Sequence, residues 1–393
     1  MTTANMAITP SNSTAIPFTI ANSCGETIWP GIATQNGTGP GTGGFELAPG
    51  GSRTLFVSPD WAGRVWGRTN CSFNSDDSGA GYRSGADGYG AACRTGDCFG
   101  KLDCEFPGQV PTTLAEFTLQ GGSSNNQTFY DISLVDGYNL PLAIIYHPAA
   151  NTTWIPPSLT NPACIATAGY IFTPVASSSP SNSRLRFTHS VYPYPFEDYQ
   201  TDATLSTWCP PSLLHSALPR PIGLPWWERR PSSTSSTSPS PNSNSNDNNR
   251  PAFQPCLSPC SAYHTAADCC TGPFNSPDTC KPSAYSQAAK RVCPDAYSFA
   301  FDDRASTFVV PSGGGGWEVR FCPRGMRSTD ILGRFADEVE QVGQGRKLSD
   351  DALRRIRGGS VERGEATGHL KGRETGWRVV GVVLAVAMAL FMV

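Results

Sequence analysis

The chain has 393 residues, only 16% of them charged, with 40 glycines and 34 prolines. That composition describes short strands and turns and excludes a helical bundle. Residues 1–324 carry 18 Lys/Arg against 23 Asp/Glu, while the remainder carries 11 against 9; a mildly acidic body argues against nucleic acid as a partner.

In chain order, residues 1–17 show no basic run and no apolar stretch, so they do not read as a secretory leader. From residue 18 the runs "FTIANSC", "ETIWPGI", "RTLFVSP" and "GRVWGRTNC" are rich in β-branched and aromatic residues. Clusters such as "NGTGPGTGG" and "APGGS" separate them. This spacing predicts a β-sandwich over 18–70. Residues 71–111 are turn-rich and carry Cys71, Cys93, Cys98 and Cys104, a small disulfide-rich excursion. Strands resume within 112–163 at "TLAEFTLQ", "FYDISLVDG" and "LPLAIIYHP".

A larger cysteine-dense domain is expected over 164–293. It holds one good helix, "SAYSQAAKRVC", with Ser283 as its cap. It also holds a Ser/Pro/Asn-rich insertion at about 228–252 that has no means of building a core and is expected to be disordered or glycosylated. Strands return within 294–323 at "AYSFAFDD", "STFVV" and "WEVRFCP". Residues 324–378 read as a charged stalk outside the domain, with Ser328 or Thr329 capping a helix that carries Ile331, Leu332, Phe335, Val339 and Val342.

The last 15 residues, Val379 to Val393, are apolar, short of the roughly 20 a spanning helix needs. With small-residue sites at Ala366-Thr367-Gly368 or Gly358-Gly359-Ser360, this tail reads as a lipid-anchor signal. A weak tail anchor, or a terminal helix of no membrane role, is the alternative. A lipid anchor requires the secretory route, so the start of the chain is expected to be incomplete.

The 14 cysteines are even in number and spread over loop-rich sequence, which implies a disulfide framework in an oxidising compartment. Zinc is the competing reading, but the histidines at 147, 189, 215, 264 and 369 show no helical pairing and none flanks a C-x-x-C pair. No metal and no cofactor is assigned. Sequons at Asn12, Asn36, Asn70, Asn126 and Asn151 agree with secretion.

Within "FYDISLVDGYNLP", strand alternation sets Asp131 and Asp136 on opposite faces. A turn at Asp136-Gly137 releases Asp136 from that alternation, and both carboxylates can then face one cleft.

The motifs "WGRTNC" (66–71), "CRTGDC" (93–98), "PTTLAEFTL" (111–119), "FYDISLVDGYNLP" (129–141), "CPDAYSFAFDD" (293–303) and "VRFCP" (319–323) stand in one order along the chain. In that order they resemble thaumatin-like proteins. The resemblance implies a mainly β fold, a thaumatin-like β-sandwich with two disulfide-stapled excursions and an acidic cleft between the sandwich and the larger one. It also implies the pairs Cys24–Cys322, Cys71–Cys93, Cys98–Cys104, Cys164–Cys293, Cys209–Cys256, Cys260–Cys269 and Cys270–Cys280. The family usually has one bridge more. Val310 stands at one of its lost positions, and the lost closure costs about 2–4 kcal/mol unless local packing offsets it. An extra residue at Tyr89 and the long 210–255 insertion are further departures.

Family members with glucan activity carry one Arg, one Glu and three Asp around the cleft. The resemblance places these at Arg64, Glu116, Asp131, Asp136 and Asp302, with Asp303 as the neighbouring choice. Glycosidic hydrolysis needs one protonated and one ionised carboxyl. Glu116 is the expected acid and Asp131 the expected base or nucleophile. Arg64, Asp136, Asp302 and Asp303 would bind sugar or tune that pair. Tyr138, Trp226 and Trp227 are candidate stacking aromatics, with an anchoring contact on the insertion the equal alternative for the two Trp, while Asp97 reads as a turn or structural ion-pair residue.

The expected partner is β-1,3-glucan or a related wall polysaccharide, bound by a monomeric, extracellular or wall-associated protein whose only membrane attachment is its tail. Weak endo-β-1,3-glucanase activity is one expectation. The others are a non-catalytic carbohydrate-binding defence protein and an inhibitor of a wall-degrading enzyme.

Overall fold

A computed structural model describes residues 15–74, 91–149, 154–166, 173–174, 187–188, 208–213, 255–313, 315–323 and 326–358. The insertion with Trp226 and Trp227, Tyr89, the sequons at Asn12 and Asn151, and the apolar tail lie outside these residues. Among the described residues no helix is long and apolar enough to cross a membrane.

The β-branched and aromatic runs form two five-stranded sheets. The first contains β1 (Ile16–Asn22), β3 (Ser52–Val57), β7 (Leu142–His147), β8 (Ala163–Cys164) and β12 (Gly316–Phe321), in the order β3-β1-β12-β7-β8. The second contains β2 (Ile28–Asn36), β4 (Ala62–Thr69), β5 (Leu114–Gly121), β6 (Gln127–Ser133) and β11 (Phe308–Pro311), in the order β11-β6-β5-β4-β2. A two-residue pair, β9 (Thr173–Pro174) and β10 (Phe187–Thr188), stands apart.

Alternation turns one face of each sheet inward. Phe18, Ile20, Trp317 and Val319 of the first sheet meet Val65, Phe117 and Tyr130 of the second in one buried core. Phe117 packs edge-on against Phe18 at 5.0 Å and against Trp317 at 5.4 Å. The result is the mainly β sandwich.

Helices are few: α1 (Pro157–Thr160), α2 (Pro259–Tyr263), α3 (Ala284–Val292), α4 (Ile331–Gly343) and α5 (Asp350–Gly358). Ser283 caps α3 through Ser286 N at 3.1 Å. Seven disulfides join the pairs 24–322, 71–93, 98–104, 164–293, 209–256, 260–269 and 270–280. These are the pairs that the resemblance implies.

Three sequence expectations are corrected. "AYSFAFDD" is not a strand: it forms turns that lead into a short 3-10 segment at Asp303–Ala305, and Tyr297 is tied by single bonds to Ile132 of β6 and to Leu134 just beyond it. Residues 326–358 are not a free stalk, because α4 packs on β11 and buries Ile331, Leu332, Val339 and Val342. Nor do Ser328 and Thr329 cap α4. Their hydroxyls accept from Ile165 N and Ala163 N at 2.9 Å, while buried Asp295 accepts from Ile331 N at 2.8 Å and Leu332 N at 2.9 Å. A carboxylate at a helix start satisfies donors that the helix itself leaves open. Of the described sequons, Asn36 and Asn126 are exposed and Asn70 is buried, so Asn70 offers no room for a glycan in the folded chain.

Candidate functional site

The pairing of β4, β5 and β6 sets Arg64 opposite Glu116 and Glu116 opposite Asp131. Directly paired residues project from one face. Their neighbours Val65, Phe117 and Tyr130 face the core, so Arg64, Glu116 and Asp131 form a row across the outer face of the second sheet. Arg64 Nη2 lies 3.1 Å from Glu116 Oε1.

Asp136 reaches the same place by a turn. β6 ends at Ser133, and Gly137 N donates to Leu134 O at 3.0 Å with Gly137 at φ 94°. Glycine is required there, since that φ is strained for a side chain and a Cβ would meet Cys256 O at 2.5 Å. The turn brings Asp136 to the wall of a cleft of about 630 Å³ that Arg64 and Glu116 also line.

One side of this cleft comes from the small excursion, through Phe99, Phe106 and Pro107. The other comes from the larger domain, through Ser261, His264 and Thr271. Phe99 and Phe106 are 51% and 56% exposed. Phe99 holds φ 54°, a backbone region that bulky residues rarely enter.

Two buried polar groups fix this excursion on the sheet. The fully buried Arg68 donates to Trp29 O (2.8 Å), Pro30 O (3.1 Å), Lys101 O (2.9 Å) and Leu102 O (2.7 Å). Burial pushes its guanidinium down to about 10. Asp97 accepts from Ala92 N, Cys93 N and Gly100 N at 2.8–2.9 Å, the turn role expected of it.

The carboxyl groups sit in unlike surroundings. Burial first, and then Glu116, pushes Asp136 above the ordinary carboxylate range, with Arg64 opposing. Burial pushes Asp131 well above that range, helped by Glu116 and Asp303 and opposed by Arg64 and Lys290. Glu116, with Asp136 and Asp131 behind it, raises Arg64 against its own burial.

Asp131 is only 2% exposed, is absent from the cleft lining, and its Oδ1 has no hydrogen-bond partner among the described residues. It lies beneath the floor, where a bound polymer does not reach, so its expected role as base or nucleophile is not met by this geometry.

Asp302 and Asp303 also lie off the lining. Asp302 accepts from Ser298 N and Oγ and pairs with Lys290 at 3.1 Å, and Asp303 accepts from the Tyr297 hydroxyl at 2.8 Å. Tyr138 is corrected too. It is fully buried, packs against Trp208 at 5.9 Å, and donates to Ile165 O at 2.9 Å, so its ring has no free face for a sugar.

Sequence reasoning missed Phe99, Phe106 and His264. Two phenylalanines in a turn-rich loop without a core pattern were the available signal, because such a loop has little core in which to bury them. His264 follows α2 at φ 54°, and nothing in its local sequence marks it.

The Thaumatin family model matches residues 22–323. The pathogenesis-related thaumatin-like protein 3.5 of Cryptomeria japonica is 34% identical over 311 residues, covering 79% of this chain and 90% of that protein. Thaumatin-like protein 1 of Arabidopsis thaliana is 34% identical over 312 residues, covering 78% and 85%. Among solved structures, the thaumatin-like xylanase inhibitor TLXI aligns with a TM-score of 0.25 at 35% identity, covering 33% of this chain and 74% of that one.

Proposed function

The chain belongs to the thaumatin family, and from that premise we propose that its acidic cleft binds β-1,3-glucan outside the cell, with weak endo-hydrolysis as a secondary activity. The observation that carries this reading is the convergence of Arg64, Glu116 and Asp136 in one open cleft beneath two exposed phenylalanines. Carboxylates and a guanidinium offer acceptors and donors to sugar hydroxyls. Aromatic faces cover the apolar face of a sugar ring, the mixture of apolar walls and few polar groups that ligand sites use. Seven disulfides support an oxidising, extracellular setting.

For hydrolysis the roles shift from the sequence expectation. Asp136 is part-exposed at the wall and holds its proton more tightly than an ordinary carboxyl, which suits the general acid. Glu116, in its ion pair with Arg64, supplies the second carboxyl. Asp131 then acts from below as part of the floor.

The test combines two assays on the wild-type protein: retention on insoluble β-1,3-glucan and reducing-sugar release from laminarin. Retention with release that Glu116→Gln abolishes supports both parts of the reading. Retention without release leaves a binding protein, and absence of both refutes the cleft as a glucan site.

A further inference from the structure

A second hollow of about 250 Å³ lies between the sandwich and the C-terminal helices. It shares no residue with the acidic cleft. Tyr146, Trp154, Ile155 and Pro311 form one side; Val342 and Leu348, with Arg346 between them, form the other. The second side lies beyond residues 22–323, where the family match ends, so the hollow exists because α4 and the loop after it pack on the sandwich.

Three observations define what would fit. The walls are apolar, and Trp154 stands 58% exposed at the mouth. Apolar surface left open around a concavity is stabilised by an apolar occupant. The charge at the mouth has one sign. Among the described residues no acidic side chain lines the hollow and Arg346, which is exposed, makes no side-chain ion pair, while the Arg357 guanidinium lies 5.9 Å from the Trp154 ring centroid. The size is small, about 250 Å³, which suits a short acyl chain.

We propose that this hollow binds a small amphiphilic monocarboxylate, a short fatty-acid anion. Its chain lies against Ile155, Val342 and Leu348 beneath the Trp154 indole, and its carboxylate meets Arg346. The guanidinium fork is matched to a carboxylate by two parallel hydrogen bonds, which a neutral head group does not reproduce.

The experiment is titration calorimetry of the full chain with sodium octanoate and, separately, with octanol, while the Trp154 indole N–H is followed by NMR and assigned with Trp154→Phe. Octanoate is expected to bind and shift that signal. Arg346→Met is expected to weaken octanoate about tenfold or more, the loss of one charge-assisted pair, while leaving octanol unchanged. Trp154→Ala is expected to weaken both. Both positions are exposed, so neither variant endangers folding, and retention on β-1,3-glucan should be unaltered in both. Absence of octanoate binding to the wild type, or equal weakening of octanoate and octanol by Arg346→Met, would overturn the proposal. So would a Trp154 signal that stays unmoved while octanoate binds elsewhere.

Discussion

Replacing Asp131 by asparagine separates the two carboxyl groups that the sheet sets side by side. Asp131 is 2% exposed, and its Oδ1 has no partner among the described residues. A buried polar atom left without a hydrogen bond costs about 1–3 kcal/mol. Its folded carboxyl is held well above the ordinary range by burial and by Glu116. The folded state therefore binds this proton more tightly than the unfolded state does. The stability linked to it is fully present below about pH 4, the unfolded value, and is lost as pH rises toward the folded one. Asparagine keeps the shape, cannot ionise, and offers N–H donors toward Glu116, its cross-strand partner. Asp131→Asn should raise stability at pH 7 by about 1–3 kcal/mol, or roughly 2–4 °C per kcal/mol for a body of this size. The part of the gain that comes from ionisation should be lost at pH 3, leaving the part that comes from pairing the orphan atom. Urea unfolding of both proteins across pH 3–8 reads this directly. Equal or lower stability of the asparagine variant at pH 7 would refute the reasoning, and a gain that persists undiminished at pH 3 would remove its electrostatic cause.

Asp136→Asn should abolish sugar release yet leave most glucan retention. The wild-type release should be greatest on the acid side and fall as pH rises through the raised Asp136 value, seen in a pH–rate profile. Phe99→Ala with Phe106→Ala should weaken retention on insoluble glucan several-fold without changing the urea midpoint much, because both rings are largely exposed. Arg68→Met should destabilise the fold by about 3–5 kcal/mol by stranding four backbone carbonyls, and glucan retention should fall with it although Arg68 does not line the cleft. Asp295→Ala should release the start of α4 from its two backbone bonds, at about 1–3 kcal/mol, and limited proteolysis should then cut first within 326–358.

The strands were legible because their signal is local. Val65, Phe117 and Tyr130 stand in short runs rich in β-branched and aromatic residues, and those runs fold as β4, β5 and β6. Asp136 was legible as a turn residue for the same reason, since the Asp-Gly pair is its own signal. The failures are non-local. "AYSFAFDD" has strand composition, but Tyr297 spends its hydroxyl on Asp303 and Thr307, which folds the segment back on itself. Asp131 and Glu116 look alike in sequence. What separates them is the layer packed over β6, which covers one and leaves the other at the cleft. Ile331, Leu332, Val339 and Val342 showed a helix with an apolar stripe, but not that β11 waits 20 residues upstream as the surface for it.

That last contact also bears on the missing bridge. Val310 stands where the family resemblance implies a cysteine, and it is fully buried beside Val309 on β11. Both α1 and α4 pack on that strand, and Gln127 Nε2 donates to Gly343 O at 3.0 Å, tying the end of α4 to the neighbouring strand β6. The fit is close: a Cβ on Gly343 would meet Val309 Cγ1 at 2.3 Å, so glycine is what allows the helix to approach. A disulfide stabilises chiefly by restricting the unfolded chain, whereas a packed helix stabilises by covering apolar surface in the folded one. The packed helix also brings a new face with it. Val310 lies on the edge strand β11 on which α4 packs, and the hollow lined by Trp154 and Arg346 opens beside that contact.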